Sequence, residues 1–161
     1  MNPAIELSKL TATQGMDLFL RNFSYVPDDK LTWSPTPTSK SALRIAAHAA
    51  VTNGNFAQMI RDRKLPAGDD IPGFVERTTA AEMAITSREE MEKVFRANTQ
   101  AVLDALDTLS DEDVEIVFDS GQGWTMSMGF LMRLAGWHAT LHLGQIDFLQ
   151  TCWDDQQIYT G

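Results

Sequence analysis

Apolar residues recur at helical spacing along four long stretches of this chain, and prolines and glycines interrupt it between them. That pattern admits helices packed on helices and little else. The first stretch, about residues 3–25, carries Leu10, Met16, Phe19, Leu20 and Phe23, with Pro3 suited to a helix start. It ends at Val26-Pro27, because a residue before proline avoids helical dihedrals. Pro35 and Pro37 then impose an extended connector. The second helix is expected to begin near Thr38 or Ser39 and run to about Arg63, with Leu43, Ala46, Ala47, Ala50, Val51, Phe56, Met59 and Ile60 on its apolar face. Gly54 reads as a weak point within it. Residues 65–79, with Pro66, Gly68, Pro72 and Gly73, read as a long irregular loop.

A capping box, Ser87-Arg88-Glu89-Glu90, opens the third helix, whose stripe is Met91, Val94, Phe95, Val102, Leu103, Leu106 and Leu109. Residues 114–118 read equally as a brief strand or a helical continuation. After Gly121-Gln122-Gly123, Thr125 or Ser127 caps a fourth helix reaching about Trp153, with Leu131, Ala135, His138, His142, Gln145, Leu149 and Cys152 along its inward seam. The expectation is one all-α domain spanning residues 1–161, a four-helix bundle.

Composition narrows the function. Thirteen basic residues face 22 acidic ones for a net charge of −9, a field that opposes nucleic-acid backbones. Glu6 and Asp17 interrupt the first apolar stretch, which therefore does not read as a signal peptide, and no stretch reaches the roughly 20 apolar residues that span a membrane. Cys152, the single cysteine, excludes an internal disulfide and suits a reducing cytoplasm. The chain is expected to be cytoplasmic.

Two of the three histidines, His138 and His142, stand at i and i+4 on the fourth helix, where their imidazoles share a face. His48 lies mid-way along the second helix among Ala46, Ala47, Ala49 and Ala50, small neighbours that permit another helix to approach. If those two helices are adjacent, three neutral imidazoles meet in one cavity. Such a cluster is costly unless something satisfies its lone pairs, and a divalent cation does so while keeping coordination positions open. Three neutral ligands leave the cation strongly Lewis-acidic, fit to activate water or hold a thiolate; zinc and nickel suit imidazole nitrogen. The competing reading is three ordinary structural histidines.

The stretch from Ser41 to His48 and the run His138-Ala-Thr-Leu-His142-Leu-Gly-Gln145-Ile146 resemble the second-helix histidine and the closing motif of the DinB/YfiT-like metal-binding four-helix bundles. The Leu106–Asp113 segment and the Thr125-containing turn are similar to that family as well. The resemblance implies an up-down-down-up bundle, a His48/His138/His142 metal site and a homodimer. It also implies, for some members, a thiol-dependent transferase or isomerase reaction in which a small-molecule thiol attacks an electrophile. The expected function is therefore a metal-dependent hydrolase or thiol transferase, with a non-enzymatic, stress-associated, metal-binding dimer as the alternative. Substrate, reaction and native metal stay open, and no Arg/Lys cluster able to hold a carboxylated thiol is evident on the histidine faces.

Other residues carry weaker signals. Gln145, one turn beyond His142, is placed to hydrogen-bond a histidine or a water at the metal, although a helix-packing amide is nearly as good a reading. Trp33, Trp124, Trp137 and Trp153 read as core or interface before substrate pocket, with Trp137 necessarily on a different face from His138. The methionines read as packing filler. Cys152 reads as a buried, inert thiol.

Overall fold

The structure, a computed structural model, describes residues 2–66 and 68–159. Its helices are α1 (Pro3–Ser24), α2 (Ala42–Asp62), α3 (Ile71–Ala84), α4 (Arg88–Leu106), α5 (Met128–Leu131) and α6 (Leu134–Cys152), with a two-stranded antiparallel hairpin, β1 (Val117–Asp119) and β2 (Thr125–Ser127). Local chemistry sets the boundaries. Asn2 caps α1 through Ala4 N, Ser41 caps α2 through Arg44 N, and Ser87 caps α4 through Glu90 N. The glutamate's half of the box is displaced by one residue, because Glu90 Oε2 accepts from Thr86 N at 3.0 Å. The second helix thus starts later than Thr38 or Ser39, where Ser41 offers the cap.

Side-chain contacts give the bundle its directions. Asn53 donates to Thr99 Oγ1 at 3.0 Å and Arg63 to Thr108 O at 2.7 Å, so α2 and α4 run side by side in the same sense. Asn22 reaches Asp147 at 3.3 Å and Gly15 abuts Gly136, so α1 and α6 are likewise parallel. Arg88, at the start of α4, donates to Phe23 O at 2.6 Å near the end of α1, while Lys9 pairs with Asp107 at the opposite ends. The two pairs are therefore antiparallel, and the topology is the up-down-down-up bundle that the resemblance implies. Phe19, Phe23, Leu43, Ala46, Ala50, Phe95 and Ile146 fill one half of the core, and Ile60, Val102, Leu106, Leu131, Met132 and Ala135 the other.

Glycine permits two close approaches. A Cβ on Gly136 would lie 2.6 Å from Thr11 O, so α1 and α6 touch through backbone. At Gly54 a Cβ would meet Asn98 at 2.9 Å, and the Asn98 amide donates to Ala50 O at 2.9 Å. The apparent weak point in α2 is thus the notch that admits a cross-helix hydrogen bond.

Three expectations are corrected. Residues 65–79 are not one loop: a short 3₁₀ turn at Gly68–Asp70 leads into α3, with Pro72 accepted in its first turn. Because α3 buries no residue, its sequence lacks the apolar stripe that marks the other helices. The fourth helix divides in two, with Ser127 capping α5 at Phe130 N, and the undecided 114–118 region splits between a 3₁₀ turn at Asp113–Glu115 and β1. Finally, Cys152 is exposed, and the buried face of α6 is Ala135, Ala139, Leu143, Ile146 and Leu149. Histidine and glutamine thus flank the seam, and Gln145 is exposed. A donor face must open on a cleft, so the apolar contact falls one residue round the helix.

Candidate metal centre

His48 projects from the middle of α2, and His138 and His142 from α6. One donor nitrogen of each lies within 4.8 Å of the others. His138 and His142 bring their Nε2 atoms to 3.0 Å, and the His48 ring centroid stands 5.0 Å from that of His138 and 4.8 Å from that of His142. Two nitrogens sharing one ion at ~2.0–2.1 Å stand ~2.8–3.4 Å apart for right-angled to tetrahedral geometry. The His138–His142 separation falls in that window.

The outer nitrogens show which way the rings are turned. His48 Nδ1 lies 2.6 Å from Glu82 Oε1 on α3; a carboxylate only accepts, so the proton sits on Nδ1 and the Nε2 lone pair is free. His142 Nδ1 lies 2.7 Å from Gln145 Oε1, which fixes the same tautomer. His138 then has no good state by itself. Protonated on Nε2, it donates to His142 but leaves Nδ1, buried and without a partner among the described residues, as a bare acceptor. Protonated on Nδ1, it sets two lone pairs against each other at 3.0 Å. A cation among the three rings relieves that opposition, so the donor set fits a divalent metal.

The electrostatics point the same way. Burial, then the neighbouring imidazoles and Lys40, push His138 down to about 3, and burial also lowers His142. Imidazoles that stay neutral at physiological pH are ready ligands.

Sequence reading missed Glu82, because it lies between the segment taken for a loop, residues 65–79, and the third helix, where no element was expected, and its partner is 34 residues away. It missed Lys40 as well. The Lys40 ammonium, 53 % exposed, stands 3.7 Å from Glu82 Oε2 at the rim of the same cleft, so a cation is present there after all. The helix α3 is held across this cleft by polar ties to α2: Glu82 to His48, Asn55 to Thr78 Oγ1 at 3.1 Å, and the Arg44 guanidinium to the carbonyls of Glu82 and Ile85. Beneath it lies a cavity of 350 Å³ bordered by Lys40, His48, Thr52, Phe56, Met59 and Glu82.

An up-down-down-up helical bundle with three histidines converging from α2 and α6 defines the class of this protein, and comparison with known proteins gives the family. The chain belongs to the DinB superfamily, whose family model matches residues 11–146. Its fold is similar to the crystal structure of a DinB-like protein, YjoA, from Bacillus subtilis, with a TM-score of 0.66 at 16 % identity, covering 99 % of this chain and 96 % of that one. None of the curated proteins matches the chain. No helix among the described residues is long and apolar enough to cross a membrane.

Proposed function

We propose that this protein binds one divalent cation through His48, His138 and His142 and uses it to activate a small nucleophile, a thiol or water, for group transfer or hydrolysis. The observation that carries the reading is the 3.0 Å approach of the His138 and His142 Nε2 atoms beside His48, with Gln145 and Glu82 holding the outer nitrogens of His142 and His48 so that the lone pairs of those two rings face inward. Zinc and nickel suit the all-nitrogen donor set. A bound cation of this kind supplies Lewis acidity that brings a thiol or water toward ionisation near neutral pH.

The protein's own groups do the rest. Glu82 holds the His48 tautomer, and Gln145 holds that of His142. Lys40 offers an exposed ammonium to an anionic substrate, which supports a carboxylated thiol. The single thiol, exposed and unpaired, accords with a cytoplasmic location. A homodimer is part of the same proposal: Trp137, Leu141 and Phe148 stand exposed along α6 at helical spacing, an apolar stripe that a second copy would cover.

The test is metal content followed by turnover. Purified protein should carry about one zinc or nickel per chain, and His48→Ala, His138→Ala and His142→Ala should each lose it. Metal-free protein after reconstitution, or full metal retention in the variants, would sink the reading. Metal-loaded protein is then screened with an electrophile and a panel of small thiols. Stoichiometric metal without turnover, for thiols or for ester and amide hydrolysis, assigns the non-enzymatic metal-binding dimer instead.

A further inference from the structure

A second cavity, of 210 Å³, adjoins the histidine cleft, lined mainly by Phe56, Met59, Ile71, Trp124, Met126 and Leu131. Its chemistry is the opposite of the cleft's. The polar side chains in its lining are Ser120 and Gln122, and the Ser120 hydroxyl is already used, donating to Trp124 O at 2.7 Å and accepting from Gln122 N at 3.0 Å. Among the described residues, no charged side chain borders it. An apolar cavity of ~150 Å³ stays dry and takes benzene, so this one has room for a single ring with a short substituent.

Its position ties it to the cleft. Phe56 and Met59 border both spaces. The Phe56 ring meets His138 edge-on, 5.6 Å between centroids. Met59 has the torsional freedom to swing aside. At the mouth, Gly121 and Gly123 take positive φ (+69° and +85°), and the turn they make carries Trp124, whose side chain stays 47 % exposed. On the cleft side, the buried Thr52 hydroxyl has no partner among the described residues. The larger cavity of 480 Å³ behind α3 is different: Asp62, Lys64, Asp70 and Arg77 border it, and it suits water.

We infer that the 210 Å³ cavity binds a small uncharged apolar group, an aromatic ring or branched alkyl, borne by the molecule whose polar end enters the histidine cleft. The second half of that statement rests on the metal reading; the first does not.

The test separates them. Metal-free protein labelled with ¹³C-methyl methionine is titrated with toluene. Met59 and Met126 should shift saturably while Met91, in the other half of the core, stays put; His48→Ala should behave the same, and Met126→Trp, which fills the space, should abolish the Met59 shift. Zinc-loaded protein is then titrated with phenylalkanethiols of increasing chain length and with ethanethiol. At least one phenylalkanethiol should bind about tenfold or more tightly than ethanethiol, shift Met126, and lose its advantage in Met126→Trp. Unmoved Met59 and Met126, or equal shifts in all methionines, overturn the cavity as a ligand site. Toluene binding without any preference among the thiols overturns its link to the histidine cleft. Failure to take up either zinc or nickel, with toluene still bound, refutes the metal reading and leaves the cavity standing.

Discussion

The carboxylate of Glu82 should govern metal affinity without touching the metal. It accepts from His48 Nδ1 at 2.6 Å, and its side chain is only 12 % exposed, so water screens the contact weakly. A charge-assisted hydrogen bond contributes ~1.5–3 kcal/mol against ~0.5–1.5 for a neutral one. Glu82→Gln keeps an acceptor but loses the charge, about 1–2 kcal/mol, which is roughly 5–30-fold in zinc affinity. Glu82→Ala removes the acceptor and should cost about 10–100-fold. Competition with a chromophoric chelator near neutral pH measures both, with thermal unfolding of the metal-free variants as a folding control. Asn55→Ala cuts another tie between α2 and α3 without touching a histidine, so it should change affinity by no more than about twofold. Wild-type affinity in both Glu82 variants would refute the reasoning. So would a loss in Asn55→Ala as large as in Glu82→Ala, since that would mean α3 placement matters and imidazole orientation does not.

Gly136→Ala places a Cβ 2.6 Å from Thr11 O, where backbone cannot swing away, so the overpacking cost of ~1–3 kcal/mol should exceed the helix-propensity gain of up to ~1. A fall of roughly 2–8 °C in Tm is expected in a thermal scan, and an unchanged or raised Tm would contradict the close α1–α6 contact. Arg63, by its hydrogen bonds, and the Ser110 amide hold the Asp113 carboxyl well below the usual carboxylate range. A depressed folded-state value means the pair stabilises above the unfolded value near ~3.9 and loses that contribution as pH falls through and below it. Asp113→Asn should therefore flatten the acid limb of the stability curve, checked by denaturant titrations from about pH 5 downward; a limb as steep as wild type would remove the pair from the account. Leu141→Asp puts a charge in the exposed α6 stripe and should leave a monomer of unchanged helicity by light scattering and circular dichroism, whereas an intact dimer would move the interface elsewhere.

Periodicity alone determined much of this protein. The stripes through Phe19 and Phe23, through Leu43 to Ile60, and through Met91 to Leu106 are each long enough that one amphipathic solution dominates, and the bundle follows. The i, i+4 spacing of His138 and His142 puts them on one face whatever surrounds them, because helical geometry is local. What tertiary structure alone decided is everything that depends on neighbours. No local signal marks α3, which buries nothing and is tied by Asn55, Arg44 and His48 across the chain. Gly54 reads as a weakness until Asn98 arrives to fill the space that a Cβ would take, and only the packed structure sets Thr11 against Gly136 in the same way. Glu82, Lys40 and the cavity behind Phe56 belong to the site only because α3 and the β1–β2 hairpin fold over it. Helix propensity and spacing are written within a few turns of chain, whereas a site assembled from distant segments exists only once packing has brought them together.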